Sequence, residues 1–135
     1  MTSQLLDKSE GVLFRQIHPN FYDNGRPGSG QFAPSAKDES KLSVDRSSLT
    51  TPEASHALFT GNGFDSVAVY GVSVEEFSAE DLPSYADPLK ADGRLAENAA
   101  HAYADFSAIS SSQGKKIAKR LRNNAVKRGR LHPPA

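Results

Sequence analysis

The chain has 135 residues, no cysteine, and 16 acidic against 16 basic residues, for a formal net charge of zero. That length suits a single domain able to bury its own core, and the lack of cysteine excludes disulfides and thiolate chemistry. No apolar run approaches the ~18 residues of a membrane span, and the opening MTSQLLDKSE lacks a basic region followed by an apolar one, so a cytoplasmic location is expected.

The zero net charge hides an asymmetry. Eight of the 16 basic residues lie at or beyond Lys115, and no acid follows Asp105. The body before Lys115 therefore carries 8 basic and 16 acidic residues, net −8, and the remainder carries +8. Such a segment either neutralises the acidic body or faces an external polyanion.

In chain order, residues 1–10 read as a flexible leader, polar apart from Leu5 and Leu6. An α+β core is expected over 11–110, and a basic C-terminal helix and tail of the same domain over 111–135. GVLFRQI, 11–17, has strand alternation, with Leu13, Arg15 and Ile17 on one face. An arginine between two apolar neighbours either reaches solvent from an edge strand or needs an anionic partner. Residues 18–34 form a long loop rich in turn signals, including Asn24-Gly25 and Pro27-Gly28. Loops this long in small domains are usually functional or mobile. Here Gly28, Ser29 and Gly30, with Arg26 beside them, could cradle a phosphate through backbone N–H groups, although no P-loop pattern is present.

Lys37–Ser48 packs six charged residues around the alternation Leu42/Val44. It reads as a strand that turns Ser43 and Asp45 away from the core. A helix follows, with capping-box spacing at Thr50-x-x-Glu53, Pro52 in its first turn and a stop near Gly61-Asn62-Gly63; Ala54, Ala57 and Leu58 are its expected buried face. SVAVYGVSV, 66–74, is apolar on both faces and is expected inside the sheet. Ser73-x-x-Glu76 then opens one or two helical turns, and SYADPLKADGRLAE reads as an exposed connection. HAYADF, 101–106, alternates strictly, with His101, Tyr103 and Asp105 on one face. Finally, Ser110-x-x-Gln113 opens a helix of about four turns that Gly129 closes, with Ile117, Leu121 and Ala125 as a narrow apolar stripe. The expected fold is α+β: one small mixed or antiparallel sheet of about four strands, with helices packed on it.

The four histidines, His18, His56, His101 and His132, have no metal-ligand spacing, so neither a metal nor a cofactor is expected. The best catalytic candidates sit in strands or at their ends, where loops converge: Arg15, His18, Asp45 and His101. Arg26, Gly28, Ser29, Gly30, Arg46 and Tyr103 are the candidates for holding a ligand. Lys115, Lys116, Lys119, Arg120, Arg122, Lys127 and Arg128 match the electrostatic footprint of phosphate-backbone binding, without aromatics for base stacking.

The block from Phe32 to Val44, F-x-P-x-x-K-D-E-x-x-L-S-V, continued by SVAVYGVSVEEF and HAYADF, resembles small uncharacterised bacterial proteins. Arg15 on the first strand and Ser47-Ser48 at a strand end are faintly similar to ADP-ribosyltransferase-like folds, including RNA 2′-phosphotransferases. That resemblance implies a nucleotide or NAD-like substrate. The chain departs from those folds in that Glu75-Glu76 falls on a helical turn instead of a strand. Three functions stay open from sequence. One is a small binding protein that contacts nucleic acid or an acidic protein through the basic helix, with a nucleotide or phosphate pocket. Another is an enzyme on a nucleotide. The third is an antitoxin- or immunity-type partner subunit.

Overall fold

A computed structural model of the chain describes residues 4–134. Eight strands and three α-helices are formed: β1 (Gln4–Leu5), β2 (Val12–Ile17), β3 (Tyr22–Asp23), β4 (Arg26–Pro27), β5 (Lys41–Arg46), α1 (Pro52–Gly61), β6 (Ala68–Ser73), α2 (Val74–Ala79), β7 (Ser84–Ala86), β8 (His101–Asp105) and α3 (Ser111–Arg128). Six strands make one sheet in the order β1-β7-β8-β5-β2-β6, and β3 pairs with β4 in a separate hairpin. Every pairing is antiparallel. The α+β class is as the sequence reads; the main sheet is larger than the expected four strands. The two additions, β1 and β7, are two and three residues long, too short to show a period of two. β1 comes from the stretch read as a leader. Leu6 is buried, and Glu10 is bound by Arg46.

One face of the sheet carries Leu13, Ile17, Leu42, Val44, Ala68, Tyr70, Val72, Ala102 and Ala104. These residues alternate along their strands and meet Ile117, Ala118, Leu121 and Ala125 of α3, together with Phe32 and Phe77. A leucine buried as fully as Leu121 contributes ~1.5–3 kcal/mol relative to leaving it in water. The opposite face presents Phe14, Gln16, Asp45 and His101, and α1 lies over that side.

β6 is the last strand in the order, not an interior one. It is apolar on both faces because the C-terminal tail covers it. Val69 N–H donates to His132 O (2.8 Å) and Leu131 N–H donates to Val69 O (2.8 Å), so the tail completes the outer ladder. Gly71 is required there: a Cβ would come within 2.5 Å of Val12 and 2.9 Å of Leu131. α2 opens with the expected capping box, Ser73 and Glu76 bonding reciprocally at 2.8 and 3.0 Å. α3 starts at the expected cap, Ser110, and ends at Gly129 with φ near 101°. α1 starts one residue later than expected. Thr51, not Thr50, accepts the Ala54 N–H (3.1 Å), with Pro52 as first helical residue. The shift turns the helix so that Ser55 is buried and Ala54 and Ala57 are exposed. No helix among the described residues is long and apolar enough to cross a membrane.

Candidate functional site

β2 and β5 pair at only two positions, Leu13↔Arg46 and Phe14↔Asp45. Beyond them the strands part, and the side chain of Arg15 fills the seam. Its Nε donates to Gln31 O (2.6 Å) and one terminal nitrogen donates to Ser43 O (3.0 Å). Above this seam lies a cavity of about 770 Å³, within the range typical of small-molecule sites. Its walls come from the exposed face of the sheet, the C-terminal half of α1, the turn 62–65 and an arm formed by residues 87–100. The arm is held in shape by the bridges Leu89↔Asn98 and Asp92↔Leu95.

Asp45 and His101 are direct cross-strand partners. Both oxygens of Asp45 are occupied: Ser55 Oγ donates to Oδ2 (2.6 Å) and Asn98 Nδ2 donates to Oδ1 (2.9 Å). Ser55 in turn accepts from Gln16 Nε2 (2.9 Å), and Ser66 Oγ donates to Gln16 Oε1 (2.7 Å). This chain fixes Asp45 from beneath and satisfies the buried hydroxyl of Ser55. His101 Nδ1 lies 3.0 Å from Asp87 O and 3.3 Å from Asp87 Oδ2. A carbonyl only accepts, so Nδ1 carries the proton, and a neutral ring keeps Nε2 as an unprotonated base. His18 accepts the Asn20 N–H at Nδ1 (3.0 Å), and its Nε2 is 3.9 Å from Asp65 Oδ2. The apolar part of the wall includes Phe59 stacked on Phe64, with ring centroids 5.1 Å apart, and the partly exposed Leu89 and Leu95.

The electrostatics centre on Arg15. Packing surrounds the guanidinium, and this burial lowers its pKa to about 10, with the nearby Asp38 carboxylate partly opposing the shift. Among the described residues no carboxylate reaches ion-pair distance of it. Its direct hydrogen bonds go to backbone carbonyls, with Asp38 acting on it from beyond ion-pair distance.

Arg15, His18, Asp45 and His101, singled out from sequence as catalytic candidates, all line this one cavity. The six ligand-holding candidates do not. Arg26 lies in the hairpin, exposed to solvent. Gly28 N–H is already used by Phe21 O (2.6 Å), and a Cβ on Gly30 would sit 3.0 Å from the Phe21 ring. These glycines make room for an aromatic ring, and the Gly28 amide is not free to hold a phosphate. Arg46 is committed to Glu10 through contacts of 2.8 and 2.9 Å. Burial disfavours the Glu10 carboxylate, but hydrogen bonds from Ser48 and Arg46 outweigh it and hold its pKa below the usual range. Tyr103 packs on Tyr85, 5.5 Å between ring centroids, with the Lys41 ammonium 5.0 Å from its ring.

Sequence reading missed Gln16, Gln31, Ser55, Asp87 and Asn98. Gln16 carried a usable signal, being a polar residue on a strand that also supplies the core residues Leu13 and Ile17. Asp87 and Asn98 sit in the connection before β8, where nothing local distinguishes them. The basic residues of α3 belong to the helix packed against the other face. No protein-family model matches the chain, and no curated protein or solved structure matches it either.

Proposed function

We propose that this protein binds a nucleotide in the cavity between β2, β5, β8, α1 and the arm 87–100. The observation that carries the reading is Arg15: a packed guanidinium with no carboxylate at ion-pair distance, on a residue that lines a cavity, is relieved by an anionic group such as a phosphate. Its planar fork suits phosphate oxygens, and its two carbonyl contacts fix its orientation in advance. The stacked Phe59/Phe64 pair and Leu89 and Leu95 offer apolar surface for a flat base, and Asp45 and Asn98 offer polar groups at the sheet. The similarity of the Arg15-bearing strand to ADP-ribosyltransferase-like folds points to the same ligand class. Calorimetric titration with AMP, ADP and NAD, beside inorganic phosphate and adenosine, tests it. The expected result is saturable binding of at least one nucleotide, weakened at least tenfold in Arg15→Met. No binding by any nucleotide, or equal binding by the variant, overturns it.

A second reading, that the cavity also acts on its nucleotide, is favoured by His101. Its Asp87 contact fixes the tautomer that leaves Nε2 as a base toward the cavity. Under this reading His101→Gln retains nucleotide binding and loses turnover of the bound nucleotide, followed by chromatography of the products.

A further inference from the structure

The cavity leaves the strongest charge feature of the chain unexplained. α3 carries seven basic residues and no acidic one from Ser111 to Arg128. If the segment served only to neutralise the acidic body, these cations would be paired with its carboxylates. Two are. Arg120 holds Glu80 through two hydrogen bonds of 2.8 and 2.7 Å, and Arg128 holds Glu76 at 2.9 Å while also donating to Gly71 O at 2.7 Å. Both arginines tie α3 to α2 and the edge of β6. Arg122 donates to Asn123, its own neighbour (2.9 Å). Lys115, Lys116, Lys119 and Lys127 are exposed and, among the described residues, in no ion pair.

The placement of these lysines is regular. Ile117, Leu121 and Ala125 face the core, so Lys116, Lys119, Asn123 and Lys127, at i, i+3, i+7 and i+11, form one stripe on the far side, with Lys115 beside it. At ~1.5 Å per residue the stripe runs ~16 Å along a helix that its apolar face and two arginine anchors hold rigid. Like charges at this spacing repel, as Lys115 does with Lys119 across one turn. A partner dense in negative charge removes that penalty. Duplex nucleic acid presents about one charge per 1.7 Å of its axis. No aromatic residue occurs from 111 to 128, so the stripe has nothing to stack on unpaired bases, which favours a duplex over a single strand.

We infer that the lysine stripe of α3 is a docking surface for the phosphate backbone of a nucleic-acid duplex, without base readout. The surface lies on the opposite side of the sheet from the cavity and does not depend on the nucleotide reading. The test is fluorescence anisotropy of the full chain with a labelled duplex of mixed sequence. About four phosphate contacts give a log–log salt slope near −3.6, a loss of roughly a hundredfold in affinity between about 50 and 200 mM salt. Changing Lys115, Lys116, Lys119 and Lys127 together to Gln should bring the slope near zero. Circular dichroism and the urea midpoint should stay unchanged, since these side chains have no partner to lose. Arg15→Met should leave the slope as it is, which separates this surface from the cavity. A duplex affinity that is absent even at low salt, or a slope that survives the fourfold substitution, overturns the inference. So does binding of an acidic polypeptide in preference to the duplex, which would give the stripe to a protein partner.

Discussion

Arg15 is where structure and ligand binding can be told apart. Burial lowers its pKa to about 10, which corresponds to a penalty on the charged form of about 3 kcal/mol. Against it stand two hydrogen bonds from a charged donor, worth ~1.5–3 kcal/mol each. The difference leaves the guanidinium a net contribution of about 0–3 kcal/mol to the folded chain. Arg15→Met removes both terms and keeps the aliphatic stem in the seam. The expected loss in unfolding free energy is then about 0–3 kcal/mol, measured by urea denaturation. Nucleotide binding should respond differently. Losing a charge-assisted contact worth ~2–3 kcal/mol lowers affinity roughly 30- to 150-fold, read by calorimetry. Destabilisation above ~4 kcal/mol with unchanged affinity would refute the reasoning and make Arg15 a structural tie between β2 and β5.

The Glu10–Arg46 pair should behave in the opposite way, because the Glu10 side chain is only 5% exposed. Arg46→Met leaves its carboxylate with the Ser48 N–H alone (3.0 Å) and is expected to cost ~3 kcal/mol, whereas Glu10→Leu with Arg46→Met recovers most of that loss in the same urea assay. Glu10, Glu76 and Glu80 all have carboxyl pKa values held below 4.5. For Glu10 and Glu76 burial opposes ionisation but hydrogen bonds prevail, and for Glu80 the Arg120 hydrogen bond leads. A depressed folded pKa contributes stability that is fully present above 4.5 and lost as pH falls through the folded values. The melting temperature should therefore hold level down to about pH 5 and drop below it, and Arg120→Gln with Arg128→Gln should shrink the drop in calorimetric scans. The arm 87–100 is tied to α1 by Ala96 N–H donating to Asn62 Oδ1 (2.9 Å). Asn62→Ala should speed amide exchange across residues 89–98 while leaving β5 and β8 protected, and unchanged exchange there would show that the arm needs no such tie.

What the sequence disclosed and what it hid divide along physical lines. β2, β5, β6 and β8 were legible because each is long enough for a period of two to show, and α2 and α3 because Ser73 and Ser110 are caps with their partners three residues on. α1 was legible as a helix but not in phase. Thr50-x-x-Glu53 and Thr51 before Pro52 compete for the cap, and the choice of Thr51 rotates the helix by about 100°, exchanging Ala54 for Ser55 inside. The meeting of Asp45 and His101 followed from their strand positions, since cross-strand neighbours share a face; Arg15 alternates onto the Leu13/Ile17 face and joins the cavity lining only because β2 and β5 part beyond Phe14, which no local pattern shows. The glycine-rich turn misled because Gly28 and Gly30 have two physical uses, leaving an amide free or leaving room for a ring. Only Phe21, packed over them, decides between these. The position of β6 was hidden for a related reason. Burial on both faces signals a covered strand, and the cover here is the tail at Leu131 and His132, far away in sequence.

The seam beneath the cavity explains why a sheet this small can hold a site at all. β2 has a full ladder on its other side, six pairs with β6, and β5 has five with β8. Each strand is therefore fixed from outside the seam, and the two paired positions between them suffice to keep the sheet continuous. Parting the strands leaves main-chain acceptors without ladder partners, a cost of ~1–3 kcal/mol for each one buried unpaired. Arg15 meets that demand at Ser43 O and reaches across to Gln31 O, whose own side chain fixes the loop by accepting the His18 N–H (2.7 Å). A lysine could not do this, because a single ammonium lacks the fork that spans two carbonyls in fixed directions. An apolar residue could fill the seam but would carry no charge to the cavity. The same guanidinium thus closes the gap in the hydrogen-bond ladder and adds to the cavity lining a positive charge that no carboxylate among the described residues meets at ion-pair distance. The opening in the sheet and the anion site proposed above would have a single origin in the position of one side chain.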